Sequence, residues 1–224
     1  MKKLMLVLAF VFCFSAYGFS LPTASGLSLG FGYGNFFDVS ASKEITTDGY
    51  IGGPGLNFKM HQFNPSDNVA GSFVIIDFGF PCYLASNVNG IKTTADISSY
   101  NRMHIGLSGG GCLRKKITDI FYLDYGIGGH IMLKYLRFFN DDIIHSFSTL
   151  GLGIGGEICI KFDLTDVFFL NFAGFFAFDF LLRNDWYETE VRRNAVQFVL
   201  TPYICIGLNA YHEDGKYKIG KPGK

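Results

Sequence analysis

The sequence is poor in charge. Asp, Glu, Lys and Arg make up 17% of its 224 residues, against roughly 25% in ordinary soluble domains. Nineteen basic residues balance nineteen acidic ones. A neutral chain offers no basic face to a nucleic-acid backbone, which argues against nucleic acid as a partner. It also lacks the surface charge that keeps a water-soluble protein dispersed. Among the five cysteines there is no C-x-x-C pair, so a zinc site has no support. No cofactor motif stands out either: Gly151, Gly153, Gly155 and Gly156 have the look of a phosphate loop, but no helix follows to offer its N-terminus. Long apolar runs are missing as well. The stretch VFFLNFAGFFAFDFLL over 167–182 comes nearest, is slightly short of the roughly 20 residues of a spanning helix, and would bury Asn171 and Asp179 in hydrocarbon.

Phenylalanine and glycine are abundant instead, with 25 and 28 copies, and hydrophobic residues reach 49%. At the N-terminus Lys2 and Lys3 precede an apolar run from Leu4 to Phe14, followed by Ser15-Ala16-Tyr17-Gly18. That order predicts a cleaved signal peptide over residues 1–18, with residues 19–211 as one domain and 212–224 as a basic tail. A lipoprotein signal at Cys13 fits less well, because the bulky Phe12 precedes it. An exported chain meets an oxidising compartment, so Cys82, Cys112, Cys159 and Cys205 have three pairings open to them.

The periodicity is two, the signature of strands. Leu27, Leu29, Phe31 and Tyr33 alternate with Ser28, Gly30, Gly32 and Gly34; Leu56, Phe58 and Met60 with Asn57, Lys59 and His61; Val74, Ile76, Phe78 and Phe80 with Asp77 and Gly79; Met103, Ile105 and Leu107 with His104, Gly106 and Ser108. Four further segments, near 121–135, 150–161, 168–180 and 197–209, repeat the pattern. Short connections around 64–68, 115–119 and 163–166 alternate with longer polar ones over 38–50, 81–100, 136–147 and 182–195, as in outer-membrane barrels with short periplasmic turns. The segment Ile117-Thr118-Asp119-Ile120-Phe121 returns 47 residues later as Leu164-Thr165-Asp166-Val167-Phe168, which predicts a repeated hairpin. The face opposite the apolar one is mostly Gly, Ser, Ala and Asn with isolated charges. A soluble lipocalin-like barrel would carry solubilising residues there, so the apolar face is expected to point outward into lipid and the small one inward.

In architecture, over the whole mature chain, the sequence resembles the small eight-stranded outer-membrane barrels of the OmpX, OmpW and OmpA-domain type, the barrels of spirochaetes among them. The resemblance implies an all-β, eight-stranded antiparallel up-and-down barrel in a bacterial outer membrane, with membrane lipid and the barrel-assembly machinery as partners. The chain departs from that pattern at its end, where a basic tail follows Tyr211 in place of a terminal aromatic residue. The inward charges, Lys59, Asp77, Arg102, His104, Asp124, His130, Glu157, Lys161 and Asp179, are expected to form a paired network that packs the lumen. Phe138, Phe139, Trp186, Tyr187, Arg192 and Arg193 in the long connections are candidates for contact with a host or extracellular ligand, or for the aromatic girdle of the membrane interface. Neither His145, Ser146 and Ser148 with Asp141 and Asp142, nor His104 with Ser108, makes a defensible hydrolytic motif. The expected role is non-enzymatic, structural or surface-interacting, with no cofactor and no metal; a narrow channel for small or apolar solutes is the alternative. A soluble binder and a lipid-A-modifying enzyme rank below both.

Overall fold

The computed structural model describes residues 24–41, 46–64, 69–88, 90–96, 101–140, 143–184, 195–213 and 216–221. The expected signal peptide lies outside them. Among the described residues every regular element is a strand: β1 Ala24–Ala41, β2 Thr46–Phe63, β3 Ala70–Gly79, β4 Tyr83–Val88, β5 Ile91–Asp96, β6 Asn101–Lys116, β7 Phe121–Asn140, β8 Ile143–Asp163, β9 Phe168–Asn184, β10 Ala195–Glu213 and β11 Lys216–Ile219. Neighbouring strands pair antiparallel in the order β1-β10-β9-β8-β7-β6-β3-β2, and a β1–β2 pairing closes the ring. The result is an eight-stranded barrel, as the alternation predicted.

The registers fix its geometry. A ring of partners starts at Leu29 and passes through Phe58, Ile76, Leu107, Ile131, Leu152, Phe180 and Val196. It returns to β1 at Val39, ten residues beyond its start. A stagger of that size over eight strands tilts them by about 40° from the axis. Every residue of this ring is apolar and belongs to the outward face. Strands of 16–21 residues at that tilt span very roughly 40–50 Å along the axis, well beyond the ~25 Å apolar band of an outer-membrane barrel.

Three of the long connections of the sequence reading, 38–50, 81–100 and 136–147, are mostly strand, and 185–194, most of the fourth, lies outside the described residues. β7 and β8 continue to Asn140 and from Ile143, and β1 and β2 close to within residues 42–45. The 81–100 segment is a hairpin, β4 and β5. β4 prolongs β3 along the edge of β2. Pro81 cannot donate to the ladder, but Phe80 N–H and Cys82 N–H, on either side of it, donate to Pro54 and Gly52 carbonyls at 2.8 Å. Gly90 takes the turn at φ 89°, a conformation that favours glycine. These extensions are rich in Ser, Thr, Asn and Asp because beyond the apolar band the outward face of a strand no longer needs to be apolar.

The repeated hairpin is real in three dimensions. In the β6–β7 turn Ile117 and Thr118 N–H donate to the Phe121 carbonyl at 2.9 and 3.1 Å; in the β8–β9 turn Leu164 and Thr165 N–H donate to Phe168 at the same distances. Thr118 and Thr165 hydroxyls each accept from the N–H two residues on. The register repeats too, Cys112 facing Gly126 and Cys159 facing Ala173.

β10 runs two residues past Tyr211, and the basic tail turns back as β11, pairing Ala210 with Ile219. Lys221 then reaches Asp163 at 2.9 Å. All four cysteines are free thiols, so none of the three pairings forms.

Candidate functional site

The wall has two faces of opposite chemistry. Outside, Phe31, Ile127, Ile154, Phe180 and Ile206 are each at least 58% exposed. Inside lie nearly all the buried charges. Lys59, Asp77, His104, Asp124, His130, Glu157, Lys161 and Asp179 point into the lumen and are buried; Arg102, on the same face of β6, is half-buried. The expected network left out inward partners that matter as much: His61, Lys134 and Asn209, which alternation already places on this face, and Asp38, Arg114, Asp163 and Tyr203.

These groups form four sets. In the largest, Lys59 Nζ lies 2.6 Å from Glu157 Oε2, and Tyr203 donates its hydroxyl to the same oxygen at 2.7 Å. His61 Nε2 contacts the other Glu157 oxygen, and His61 Nδ1 lies 3.6 Å from Asp124. Arg114 grips Asp124 with two 2.7 Å hydrogen bonds. A second set pairs His130 Nδ1 with Asp179 at 2.8 Å and His104 with Asp77 at 3.1 Å. In a third, Lys134 reaches Asp38 at 3.0 Å and Gln197 donates to the same carboxylate. The fourth, at the end that carries the short turns, joins Lys161 to Asp163 at 3.0 Å and to Asn209 at 2.7 Å.

Two of these contacts decide what the lumen can do. β2 and β8 stand four strands apart in the eight-strand ring, as do β1 and β7. Lys59–Glu157 and Asp38–Lys134 therefore cross the full diameter of the bore at two levels. Aromatic rings fill the space between and beside the charges. The Arg114 guanidinium sits 3.9 Å above the Phe63 ring, Lys161 Nζ 4.4 Å above Phe169 and Lys134 Nζ 5.4 Å above Phe36, distances at which a cation is attracted by the ring face. Phe73, Ile75, Phe175 and Met132 are also inward and buried. This corrects the expectation of a small-residue inner face: glycines serve there as sockets for large neighbours. A Cβ at Gly126 would stand 2.7 Å from the Phe73 ring, too close to fit.

One constellation has the composition of a hydrolytic triad. Ser108 faces His130 across the β6–β7 ladder, and His130 is held by Asp179 through Nδ1. Ser108 is 0% exposed, and acyl transfer needs room for a reacting carbon about 3 Å from the nucleophile. As it stands the constellation is closed to any substrate and packs the lumen. Among the described residues no group of three or more His, Cys, Asp or Glu could hold a metal ion.

The loop candidates are less defined. Phe138 and Phe139 lie at the end of β7 away from the short turns, opposite His145 and Ile144; their side chains, and Trp186, Tyr187, Arg192 and Arg193 altogether, lie outside the described residues.

No known family and no curated protein matches the sequence. Among solved structures the chain is similar to Ail, the attachment invasion locus protein of Yersinia pestis, solved in complex with the heparin analogue sucrose octasulfate: 11% identity over 83% of this chain and 98% of that one, TM-score 0.45. It is likewise similar to Neisserial surface protein A, with 7% identity, 80% and 96% coverage and TM-score 0.45. The outer-membrane protease OmpT from Escherichia coli matches at 9% identity over 88% and 100% of the two chains, TM-score 0.38.

Proposed function

We propose that this chain is an integral outer-membrane protein, exported through a cleaved signal peptide, whose barrel is a sealed, non-enzymatic mount for surface-exposed hairpins. One observation carries the reading: the exterior is dressed for lipid while ion pairs bridge the bore. An apolar belt this extensive is incompatible with a water-soluble monomer, which seldom exposes apolar patches beyond a few hundred Å². The bridges are equally costly to open. Removing one partner of a buried ion pair leaves an uncompensated charge, at about 3–5 kcal/mol, so a solute entering the bore would have to supply equivalent contacts. The narrow-channel alternative is therefore the weaker one.

Function then resides at the outer rim. The β1–β2, β4–β5 and β7–β8 hairpins emerge at the end opposite the short turns, the end where β9 stops at Asn184 and β10 starts at Ala195. Trp186, Tyr187, Arg192 and Arg193 are the residue types that anchor protein interfaces, and the 185–194 connection is where we place contact with an extracellular ligand. The test is trypsin on intact cells expressing the chain. Cleavage at Arg192–Arg193 is expected, with the barrel remaining heat-modifiable on gels and resisting carbonate extraction. Release of the chain by carbonate without detergent would contradict membrane integration; protection of Arg192–Arg193 in intact cells but not in lysed ones would contradict the outward orientation.

A further inference from the structure

The outer wall is not uniform. On β1, Tyr33 stands opposite Pro54 of β2, and on its other side the β1–β10 ladder is interrupted. Pairing runs from Phe31 with Ile204 and Gly32 with Tyr203 to Asn35 with Leu200, so the two positions between them, Tyr33 beside Pro202 and Gly34 beside Thr201, make no ladder pairs. Neither proline can donate a backbone hydrogen bond. Asn35 mends the break with its side chain, donating to the Leu200 carbonyl at 3.0 Å and the Tyr33 carbonyl at 3.1 Å.

A groove of about 590 Å³ opens in the exterior beside this break, lined by Phe31, Tyr33, Pro54, Phe172, Pro202 and Ile204. At its edge the next strand carries Gly174 opposite Pro202, where a Cβ would meet nothing within 4 Å. Toward the outer rim the groove ends in hydroxyl and amide groups. The Tyr50 hydroxyl donates to Asn35 Oδ1 at 2.9 Å, the Tyr50 and Tyr83 rings lie 5.9 Å apart, and Tyr33 and Tyr83 are about 40% exposed. An apolar trough capped by tyrosines is amphipathic along its length, and tyrosine suits the level where chain meets head group. All four polar groups at the cap are neutral.

We infer that this groove is a specific lipid site. It takes one acyl chain of an outer-leaflet glycerophospholipid whose zwitterionic head group hydrogen-bonds to the hydroxyls of Tyr33 and Tyr83, beside the Tyr50–Asn35 pair. The neutral cap offers no counter-charge to an anionic head group, which is why the occupant is zwitterionic. This inference rests on the membrane reading above.

The experiment is native mass spectrometry of the mature protein refolded in detergent with phosphatidylethanolamine, run beside heat-modifiable gel migration. One retained lipid per barrel is expected. Gly174→Phe, which fills the trough without a clash at its Cβ, is expected to cut retention about tenfold, a factor equal to roughly 1.4 kcal/mol. Ile127→Phe, on the opposite wall, is expected to retain lipid as the parent does. A folded, heat-modifiable protein that holds no lipid, or that loses it equally in both variants, overturns the site and leaves the membrane reading standing. Preferential retention of phosphatidylglycerol overturns the head-group assignment. A parent protein with no heat-modifiable form, and no insertion into vesicles, overturns the membrane reading and the site with it.

Discussion

Along β8 the two faces of one strand obey opposite rules. Ile154 and Ile158 are 61% and 55% exposed, while between and beyond them Glu157 and Cys159 are buried to 1% or less. A water-soluble protein hides its aliphatic side chains and solvates its charges; here the order is reversed. The outer face needs only to be apolar, so one large aliphatic residue there does much the work of another. The inner face is particular. Glu157 touches Lys59, His61 and Tyr203 at once, so a replacement there has three partners to satisfy.

The largest effect is therefore expected inside. Glu157→Gln leaves Lys59, 1% exposed, buried without its counter-charge and should cost about 3–5 kcal/mol, read as a lower urea midpoint for unfolding from lipid vesicles. Replacing both partners, Lys59→Met with Glu157→Gln, should recover part of the loss, because no orphan cation remains. Loss no greater than that of a surface change would show that the inner pairs are not under strain to stay matched.

On the outer face the same strand should discriminate by charge and not by shape. Ile154→Arg is expected to cost about 2–4 kcal/mol if Ile154 lies near the bilayer midplane, and Ile154→Leu under about 1.5 kcal/mol. Equal tolerance of both would mean that Ile154 does not face hydrocarbon.

Smaller still is the tail latch. Burial pulls the Lys221 ammonium down, but its hydrogen bond and charge contact with Asp163 outweigh this and hold its pKa above the ordinary lysine value. A raised pKa contributes stability that is complete below the unfolded value and is lost only as pH rises through the folded one. Lys221→Met should thus give a small destabilisation, constant across the neutral range and vanishing in strong alkali. Lys116 and Asp119, paired at 2.6 Å but largely exposed, should be replaceable with no measurable change, since solvent screens such pairs.

The wall was legible in the sequence because lipid enforces strict alternation, plain from Leu27 to Tyr33 and, once Asn171 and Asp179 rule against a helix, from Phe168 to Phe180. Where lipid ends, legibility ends too. Ser86, Asn87, Lys92 and Thr93 pair as strand in the β4–β5 hairpin, yet their polarity reads as loop. The same blindness hid Asp38, which falls in the 38–50 segment; its partner Lys134 stands on the inward face of the 121–135 strand, where alternation alone gave it no partner. Arg114 was passed over beside its turn, although its spacing to Asp124, opposite it on the next strand, was available once the hairpin echo was aligned. The inward Phe63, Phe73 and Phe175 left no signal, because alternation by hydropathy does not tell a residue that fills a bore from one that faces lipid. No sequence pattern announced that Lys59 and Glu157 would meet across the barrel, since that depends on the stagger of all eight strands.

That crossing is the centre of the account, and single-channel recording in planar bilayers tests it most directly. The purified, inserted barrel should carry no steady current, and Glu157→Gln with Asp38→Asn, which removes the acidic end of both bridges, should introduce one. A steady conductance in the parent protein, unchanged in that double variant, would contradict a bore sealed by its ion pairs.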